Sequence, residues 1–204
     1  MESKNQMKRD NTMTRRFLAD AGVAPGMRVL EIGCGNGEVT QELAELVGPS
    51  GRVVALDRNE GGLAMARERM TAQGIAHVHF AAADVTGDLS ALAAFEGEPF
   101  DTLVGRRVLM YLPDPAGVLN RLSEWIRSGG LVVFEETDTT MVPARISPLP
   151  AHDQMTAWLR RMLIAENANP AMGFALPATL TEAGLRFEHI CAEAVILGQG
   201  TQFP

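Results

Sequence analysis

The sequence predicts an α/β fold in which a doubly wound, mainly parallel sheet carries helices on both faces. Short apolar runs of strand length alternate with helical patterns along the first two thirds of the chain. The runs are continuous rather than alternating, which is typical of strands that are buried on both faces of a parallel sheet. The first run leads into a glycine-rich turn and a helix, and right-handed crossovers between such units give a doubly wound sheet.

Length and composition narrow the class of protein. The chain has 204 residues, 46% of them apolar, which is enough for one domain with a sizeable core. Its net charge of −7 disfavours binding to nucleic acid or to an anionic membrane, because both need a basic face. There is no membrane-length apolar run, no signal-peptide core, no C-x-x-C pair and no metal-ligand spacing. We expect one domain over residues 1–204, a cytoplasmic location and no metal.

Five strands are expected from the apolar runs, at residues 29–32, 52–56, 77–81, 100–105 and 131–135. Helices are expected between them, because apolar residues recur at helical spacing and glycine or proline follows each pattern. Their expected positions are residues 11–21, 39–47, 61–73, 89–95 and 115–126. A proline at the first turn and Asp114 as cap mark the start of the last of these helices.

The C-terminal third is less regular. Residues 138–173 contain a proline-rich loop and an amphipathic helix at 154–166, and one face of that helix carries Met155, Trp158, Leu159, Met162 and Leu163. This face either packs against the sheet or forms a lid over a substrate, since the connection lies above the strand ends. We expect 138–173 to be a substrate-side insertion. A helix at 176–183 and a last strand at 185–197 should follow.

The end of the chain predicts an open sheet edge. Only seven residues follow the last candidate strand, and they include two glycines and a terminal proline. They are too few to turn back and pair along a full strand. An uncovered edge beside the fifth strand would leave backbone groups unsatisfied and would favour association. We therefore expect the C-terminal part to be incomplete, with either residues beyond 204 or a second copy of the chain at that edge.

Ligands of such sheets bind beyond the carboxyl ends of the strands. The first strand carries Glu31 and leads into the turn Gly33-Cys34-Gly35-Asn36-Gly37. Glycine tolerates positive φ, so this turn can bend sharply and approach a ligand closely. Its G-x-G-x-G spacing differs from the G-x-G-x-x-G that grips a pyrophosphate, and the preceding carboxylate suits a cationic ligand. We expect Cys34 to fill space in the turn rather than to act as a nucleophile.

The next two strand ends carry groups suited to a nucleoside. Asp57 stands about 20 residues beyond the turn, where a carboxylate can accept from two ribose hydroxyls. At Asp84-Val85, a carboxylate can accept from an adenine amino group while a backbone N–H donates to a ring nitrogen. The fourth strand end carries Arg106 and Arg107. Polar groups in register at four strand ends favour nucleoside binding.

Each of these residues also has an ordinary structural interpretation. Asp57 could be a turn residue, Asp84 a cap, and Glu31 an acceptor for nearby backbone N–H groups. Arg106 and its neighbour could be solvated or paired with Asp101. These alternatives stay open at the level of single residues.

Taken together, the motifs resemble those of the class I S-adenosylmethionine-dependent methyltransferases. The resemblance covers residues 12–137 and rests on segments 26–57, 83–85, 100–115 and 128–136. Within that family the chain looks like the small-molecule enzymes near the ubiquinone/menaquinone-biosynthesis-like and natural-product branch. It lacks the N-P-P-Y type sequence of enzymes that methylate amino groups of nucleic acids or glutamine, which favours a small substrate.

The resemblance implies a Rossmann-like methyltransferase fold and methyl transfer from S-adenosylmethionine to a small-molecule acceptor, with S-adenosylhomocysteine as product. Glu31 would face the amino group of the cofactor, the glycine turn would line its methionine part, and Asp57 would hold the ribose. Arg58, Asp84 and Val85 would surround the adenine, and Arg106 would lie near the sulfonium. The implied cofactor-binding residues are Glu31, Gly33, Cys34, Gly35, Gly37, Asp57, Arg58, Asp84, Val85 and Arg106.

No catalytic base is assigned, because nothing in the spacing singles out His152, Glu136 or Tyr111. Two other functional classes stay open. One is a module that binds the nucleoside cofactor without turnover. The other is a nicotinamide-dependent oxidoreductase, which the turn spacing and the lack of a plausible Tyr/Lys or Cys/His set disfavour.

Overall fold

The computed structural model describes residues 12–95, 99–140 and 147–193. The strands are β1 (Arg28–Ile32), β2 (Arg52–Asp57), β3 (Val78–Ala82), β4 (Phe100–Arg106) and β5 (Ile126–Glu135). The helices are α1 (12–20), α2 (Glu38–Val47), α3 (Glu60–Ala72), α4 (Pro115–Ser123), α5 (Pro150–Ala165) and α6 (Met172–Glu182). Short 3-10 helices cover Ser90–Phe95 and Leu109–Tyr111.

The five strands form one sheet in the order β3-β2-β1-β4-β5, and every pairing is parallel. Strand order reverses between β1 and β4, so the ends of these two strands flank the crevice where such sheets bind ligands. The predicted doubly wound α/β fold is confirmed.

Two apolar clusters cover the two faces of the sheet. Leu30 and Val54 belong to one cluster, while their neighbours Val29 and Val53 belong to the other, and all four are fully buried. Successive side chains of a strand point to opposite faces. Burial on both faces therefore explains why the strands are continuous apolar runs, as the sequence predicts.

Local signals set several element ends as predicted. The carboxylate of Asp114 accepts the backbone N–H of Gly117 at 2.9 Å and caps α4, with Pro115 in its first turn. Gly48, at φ 64°, ends α2. Other boundaries were wrong: α4 ends at Ser123 rather than 126, and β5 begins at Ile126 rather than 131. α5 and α6 each begin four residues earlier than expected, at Pro150 and Met172. Ile126 pairs with Phe100 and Leu131 with Thr102, so extra residues bulge out of the ladder there.

Two expectations about the C-terminal third need correction. Residues 185–193 form no strand, and the rest of the predicted strand, 194–197, lies outside the described residues. Packing of the α5 apolar face against the sheet is also wrong for four of its five members. Leu163 is buried, but the others are exposed to solvent, namely Met155, Trp158, Leu159 and Met162.

Candidate active site

The glycine turn between β1 and α2 is packed on one side and open on the other. Gly33 and Gly35 have φ of 67° and 52°, a region that side chains rarely adopt. A Cβ on Gly33 would lie 2.7 Å from Val108 Cγ2, so the segment after β4 packs directly on the turn. A Cβ on Gly35 would meet no atom within 4 Å. The backbone at Gly35 therefore faces open space that a ligand can occupy.

Asp57 ties the end of β2 to this turn. Its Oδ2 accepts the backbone N–H of Gly35 at 2.7 Å, and its Oδ1 accepts the N–H of Asn59 at 2.8 Å. The interpretation of Asp57 as a turn residue is therefore correct, because its carboxylate accepts two backbone N–H groups. An ionised carboxylate has about four acceptor positions, so each oxygen keeps a lone pair for a further donor.

Glu31 lies beneath the turn as a buried carboxylate. It is 2% exposed, and its Oε2 has no hydrogen-bond partner among the described residues. The Thr40 hydroxyl lies close enough to favour the charged form, but it falls short of hydrogen-bond geometry and is itself unpartnered. Burial raises the pKa of Glu31 to about 7, helped by the charge of Asp57 and opposed by Thr40 and Arg106. An unpartnered carboxyl oxygen at this depth is suited to a cationic ligand group.

Arg106 connects the end of β4 to two helices. Its Nη2 lies 3.2 Å from Glu38 Oε2 in α2, and its Nη1 donates to Thr14 Oγ1 in α1 at 3.1 Å. Thr14 in turn donates to Glu135 at 2.7 Å. The alternative partner of Arg106, Asp101, is bound instead by another arginine: Arg127 Nε lies 2.6 Å from its Oδ1.

The segment after β3 holds the residues predicted for the adenine. Asp84 Oδ1 accepts both the N–H and the hydroxyl of Thr86, at 2.9 and 2.7 Å, which is the capping geometry considered above. These hydrogen bonds lower the pKa of Asp84, and the charge of Arg58 adds to that effect. Arg58 therefore lies near enough to Asp84 to act on its charge, and the neighbouring Val85 is buried.

Cys34 is a space-filling residue, as predicted. It is 6% exposed, and its backbone N–H donates to Leu56 O at 3.1 Å. Burial, with the nearby charges of Glu31 and Asp57, raises the pKa of its thiol far above the usual range. A thiol in that environment is not a nucleophile near neutral pH.

Glu136 supports the segment that packs on the turn. Its Oε1 accepts the backbone N–H groups of Val108 and Leu109 at 2.9 and 2.7 Å. Its Oε2 is buried without a partner, and burial raises its pKa to about 7 against the lowering effect of these N–H groups. The adjoining Arg107 has a φ of 55°, a conformation that these bonds help to hold. Of the three candidate bases, Tyr111 and His152 are exposed and Glu136 is the one built into the site.

Sequence reasoning missed Thr14 and Glu38. Thr14 is 2% exposed and lies among the apolar residues of α1, so a hydroxyl on that apolar face was the available signal. Glu38 follows Gly37 in the first turn of α2, where a carboxylate also has a local role at the helix N-terminus. Neither pattern identifies a partner that lies 68 or 92 residues away.

Two features are absent from the described parts of the chain. No helix among them is long and apolar enough to cross a membrane. No group of three or more His, Cys, Asp or Glu side chains in those ranges is placed to hold a metal ion.

The fold and the position of the turn define a Rossmann-like protein whose ligand crevice lies between the ends of β1 and β4. A methyltransferase domain family model matches residues 24–183, and the chain therefore belongs to that family. The match includes every strand and every predicted site residue. The family predicted from the motifs is confirmed.

Individual relatives agree with this assignment. The chain is 31% identical over 122 residues to aklanonic acid methyltransferase DauC from Streptomyces sp. (strain C5), covering 60% of this chain and 53% of the relative. It is 31% identical over 130 residues to demethylmenaquinone methyltransferase from Staphylococcus aureus, covering 63% and 51%. The chain thus spans about half the length of the curated relatives it matches. A crystal structure of a SAM dependent methyltransferase from Aquifex aeolicus shares the fold at a TM-score of 0.63, with 19% identity over 86% of this chain and 81% of that one.

Proposed function

We propose that this chain transfers a methyl group from S-adenosylmethionine to a small-molecule acceptor, with S-adenosylhomocysteine as the second product. One observation carries the proposal. The unpartnered Oε2 of Glu31 lies beneath a turn whose Gly35 faces open space, in a methyltransferase domain. A buried oxygen without a donor and a backbone without a covering side chain fit the cationic amino-acid end of this cofactor.

The remaining predicted residues have roles that fit their positions. Asp57 keeps acceptor capacity for the ribose hydroxyls while it holds Gly35. Asp84 has its Oδ2 available for the adenine amino group, beside Arg58. Arg106 holds α1 and α2 at the methionine side through Thr14 and Glu38. Gly33, Cys34 and Gly37 complete the turn, and Val85 backs the adenine space.

S-adenosylmethionine supplies an activated methyl group on a cationic sulfur, so the leaving group needs no protonation. The work left to the chain is positioning: a fixed glycine turn, a fixed ribose and a dry site that keeps acceptor and methyl in line. The segment held by Glu136 faces this site, because Val108 packs on Gly33. No base is required for an acceptor that is already nucleophilic.

We further propose that residues 138–173 cover the acceptor. α5 follows the carboxyl end of β5, and its C-terminal part is anchored by Leu163 in the same cluster as Leu109 and Met110 of the β4 segment. Its apolar face is exposed at this end of the sheet. An apolar lid of this kind suits an acceptor with an apolar body, and the curated relatives are named for aklanonic acid and demethylmenaquinone.

The setting of the enzyme completes the proposal. Both cysteines, Cys34 and Cys191, are free, which suits the reducing cytoplasm. β5 has β4 as its one strand neighbour among the described residues, so its outer edge suits a second copy of the chain. Light scattering tests this association, and a strictly monomeric solution would contradict it.

Calorimetric titration with S-adenosylmethionine and with NAD tests the cofactor. We expect heat from the first and none from the second; the reverse would establish the oxidoreductase alternative. A turnover assay with a panel of apolar hydroxylated and aminated acceptors, read by mass spectrometry as a gain of one methylene mass, then tests transfer. Tight cofactor binding with no product from any acceptor would favour the binding module without turnover.

A further inference from the structure

The surroundings of Glu31 determine its charge in the empty site. It lies on β1 at 2% exposure, and four neighbouring groups act on its carboxyl: Thr40 of α2, Arg106 of β4, Asp57 of β2 and Cys34 of the turn. Arg106 is the one cation of the set. The cysteine stays a neutral thiol because burial raises its pKa.

The positive charge of Arg106 does not offset the cost of burying an ionised Glu31 carboxylate. Arg106 is ion-paired with Glu38, whose carboxylate takes up part of its field. Asp57 adds a second negative charge nearby, and the Oε2 of Glu31 receives no hydrogen bond. A buried carboxylate without a donor is stabilised by taking a proton.

We propose that Glu31 exchanges its proton for the cofactor: it is a neutral acid in the empty site and a carboxylate when an ammonium group is bound above it. The O–H bond at Glu31 breaks, the proton passes to buffer base, and an ion pair with the ammonium replaces it. This inference rests on the proposed function. Glu31 then selects for ligands that carry the amino-acid end, because a nucleoside without it leaves the acid protonated. The raised pKa of about 7 agrees with this geometry.

Proton release during binding measures the exchange directly. Titration calorimetry at one pH in two buffers of different ionisation enthalpy gives the number of protons released per ligand bound. With a pKa of about 7 in the empty site, about 0.9 proton should be released at pH 6. Near pH 8 Glu31 releases only about 0.1 proton, while the partly neutral amine of the ligand takes up about half a proton, so the net release should change to a net uptake. At pH 6 the α-amino group of the ligand is already protonated, since such groups titrate at about 7.7–8.0. The released proton then comes from the protein.

Three ligands make the test specific. S-adenosylmethionine and S-adenosylhomocysteine both carry the amine and should both release the proton at pH 6. Methylthioadenosine, which lacks the amino-acid end, should bind more weakly and release none. The dissociation constant of the first two should fall about tenfold per pH unit between pH 5 and 6.5 and then level off.

Two variants complete the design. Glu31→Gln keeps the shape of the side chain and should bind S-adenosylhomocysteine with no proton release at pH 6. Asp57→Asn removes the neighbouring negative charge and should move the midpoint of proton release to lower pH. If Glu31→Gln fails to fold, the proton release of the unmodified chain, measured with the three ligands across the pH series, is sufficient to test the exchange. Equal proton release by the Glu31→Gln variant, or tight binding at pH 6 without release by the unmodified chain, overturns the exchange but leaves the proposed function intact. No binding of any of the three ligands overturns both.

Discussion

Asp57 Oδ2 accepts the backbone N–H of Gly35 at 2.7 Å, which links the end of β2 to a turn residue that lies 22 positions earlier in the sequence. The residue proposed to hold the ribose thus also fixes the turn proposed to hold the methionine part. A change at Asp57 should affect both ends of the cofactor, and an affinity loss alone does not identify the ribose contact.

The first prediction separates the two tasks of Asp57. Asp57→Ala should weaken S-adenosylhomocysteine binding on the order of 10 to 1000-fold, because hydrogen bonds to a carboxylate contribute about 1.5–3 kcal/mol each. A cofactor analogue without the 2′-hydroxyl should bind the unmodified chain more weakly than S-adenosylhomocysteine does. In the Asp57→Ala variant, the analogue and S-adenosylhomocysteine should bind with nearly the same affinity, because the carboxylate that tells them apart is gone. Calorimetry on the two proteins with each of the two ligands gives the coupling free energy between Asp57 and the 2′-hydroxyl. Independent losses from the two changes would mean that Asp57 serves the turn and not the ribose.

Much of this site could be predicted from sequence because its signals are local. The strand, the turn and the α2 start occupy about a dozen consecutive residues, so Glu31 and Gly35 are placed by one motif. The partner of Arg106 could not be predicted in the same way. Asp101 and Glu38 are equally plausible carboxylates by spacing, and only the packing of α2 on the sheet selects Glu38.

In the C-terminal third, too, the sequence pattern does not determine which parts of the chain are in contact. The helical period grouped the apolar residues of α5 correctly, but a period cannot say what a face contacts, and Met155 and Met162 are exposed. An apolar run is equally ambiguous without a neighbouring strand. Residues 185–193 read as a strand, and they form none in the structure.

The second prediction concerns the open side of the turn. Gly35→Val should abolish cofactor binding, because the added side chain fills the space above the backbone. Gly48→Val is the matched control: Gly48 also has positive φ, at 64°, with nothing within 4 Å of an added Cβ, but it ends α2 on the far side of that helix. Gly48, with ψ −177°, lies in a backbone region that is essentially restricted to glycine, so the control variant is strained whether or not it lies near the cofactor. The melting temperature should therefore fall in both variants, whereas cofactor binding, measured by calorimetry, should disappear in Gly35→Val alone. Normal binding by a folded Gly35→Val protein would remove the turn from the cofactor site.

The third prediction is a stability effect of Glu31 with a definite sign. Burial raises its pKa from 4.5 to about 7, so the folded chain holds more protons than the unfolded one between these values. Stability of the empty protein therefore falls as pH rises through that window and levels off above it. The contribution is on the order of 3 kcal/mol. Glu136 has a raised pKa of about 7 as well and adds a slope of the same sign.

Denaturant unfolding at pH 5 and pH 8 tests this effect without any ligand. Glu31→Gln should become more stable relative to the unmodified chain on going from pH 5 to pH 8, by about 3 kcal/mol, while keeping the slope that Glu136 contributes. The comparison between two pH values cancels the constant cost of a buried amide. Parallel pH profiles for the two proteins would show that Glu31 is already ionised in the empty site.

The fourth prediction tests the apolar face of α5. Met162 and Ile164 are 56% and 57% exposed on the same helix. Residues two positions apart in an α-helix lie about 200° apart around its axis, because each residue turns the helix by about 100°. The side chains of Met162 and Ile164 therefore point in nearly opposite directions. Met162 belongs to the face with Met155 and Trp158, and Ile164 does not. Replacing either by alanine should change the free energy of unfolding by no more than about 0.5 kcal/mol, because both are largely in water already.

Their effects on the reaction should differ. If the face closes on the acceptor, Met162→Ala removes apolar contact and should raise the acceptor KM by about 10-fold, since burying such a side chain contributes about 1.5–3 kcal/mol. Ile164→Ala should leave that KM unchanged. The dissociation constant of S-adenosylhomocysteine should be the same in both variants, because neither residue belongs to the turn or to the β2 and β3 ends. Steady-state kinetics with the acceptor identified by the turnover screen, together with light scattering, distinguishes the outcomes. An unchanged KM in Met162→Ala with a loss of association would assign the face to contact between copies of the chain and leave the acceptor without this cover.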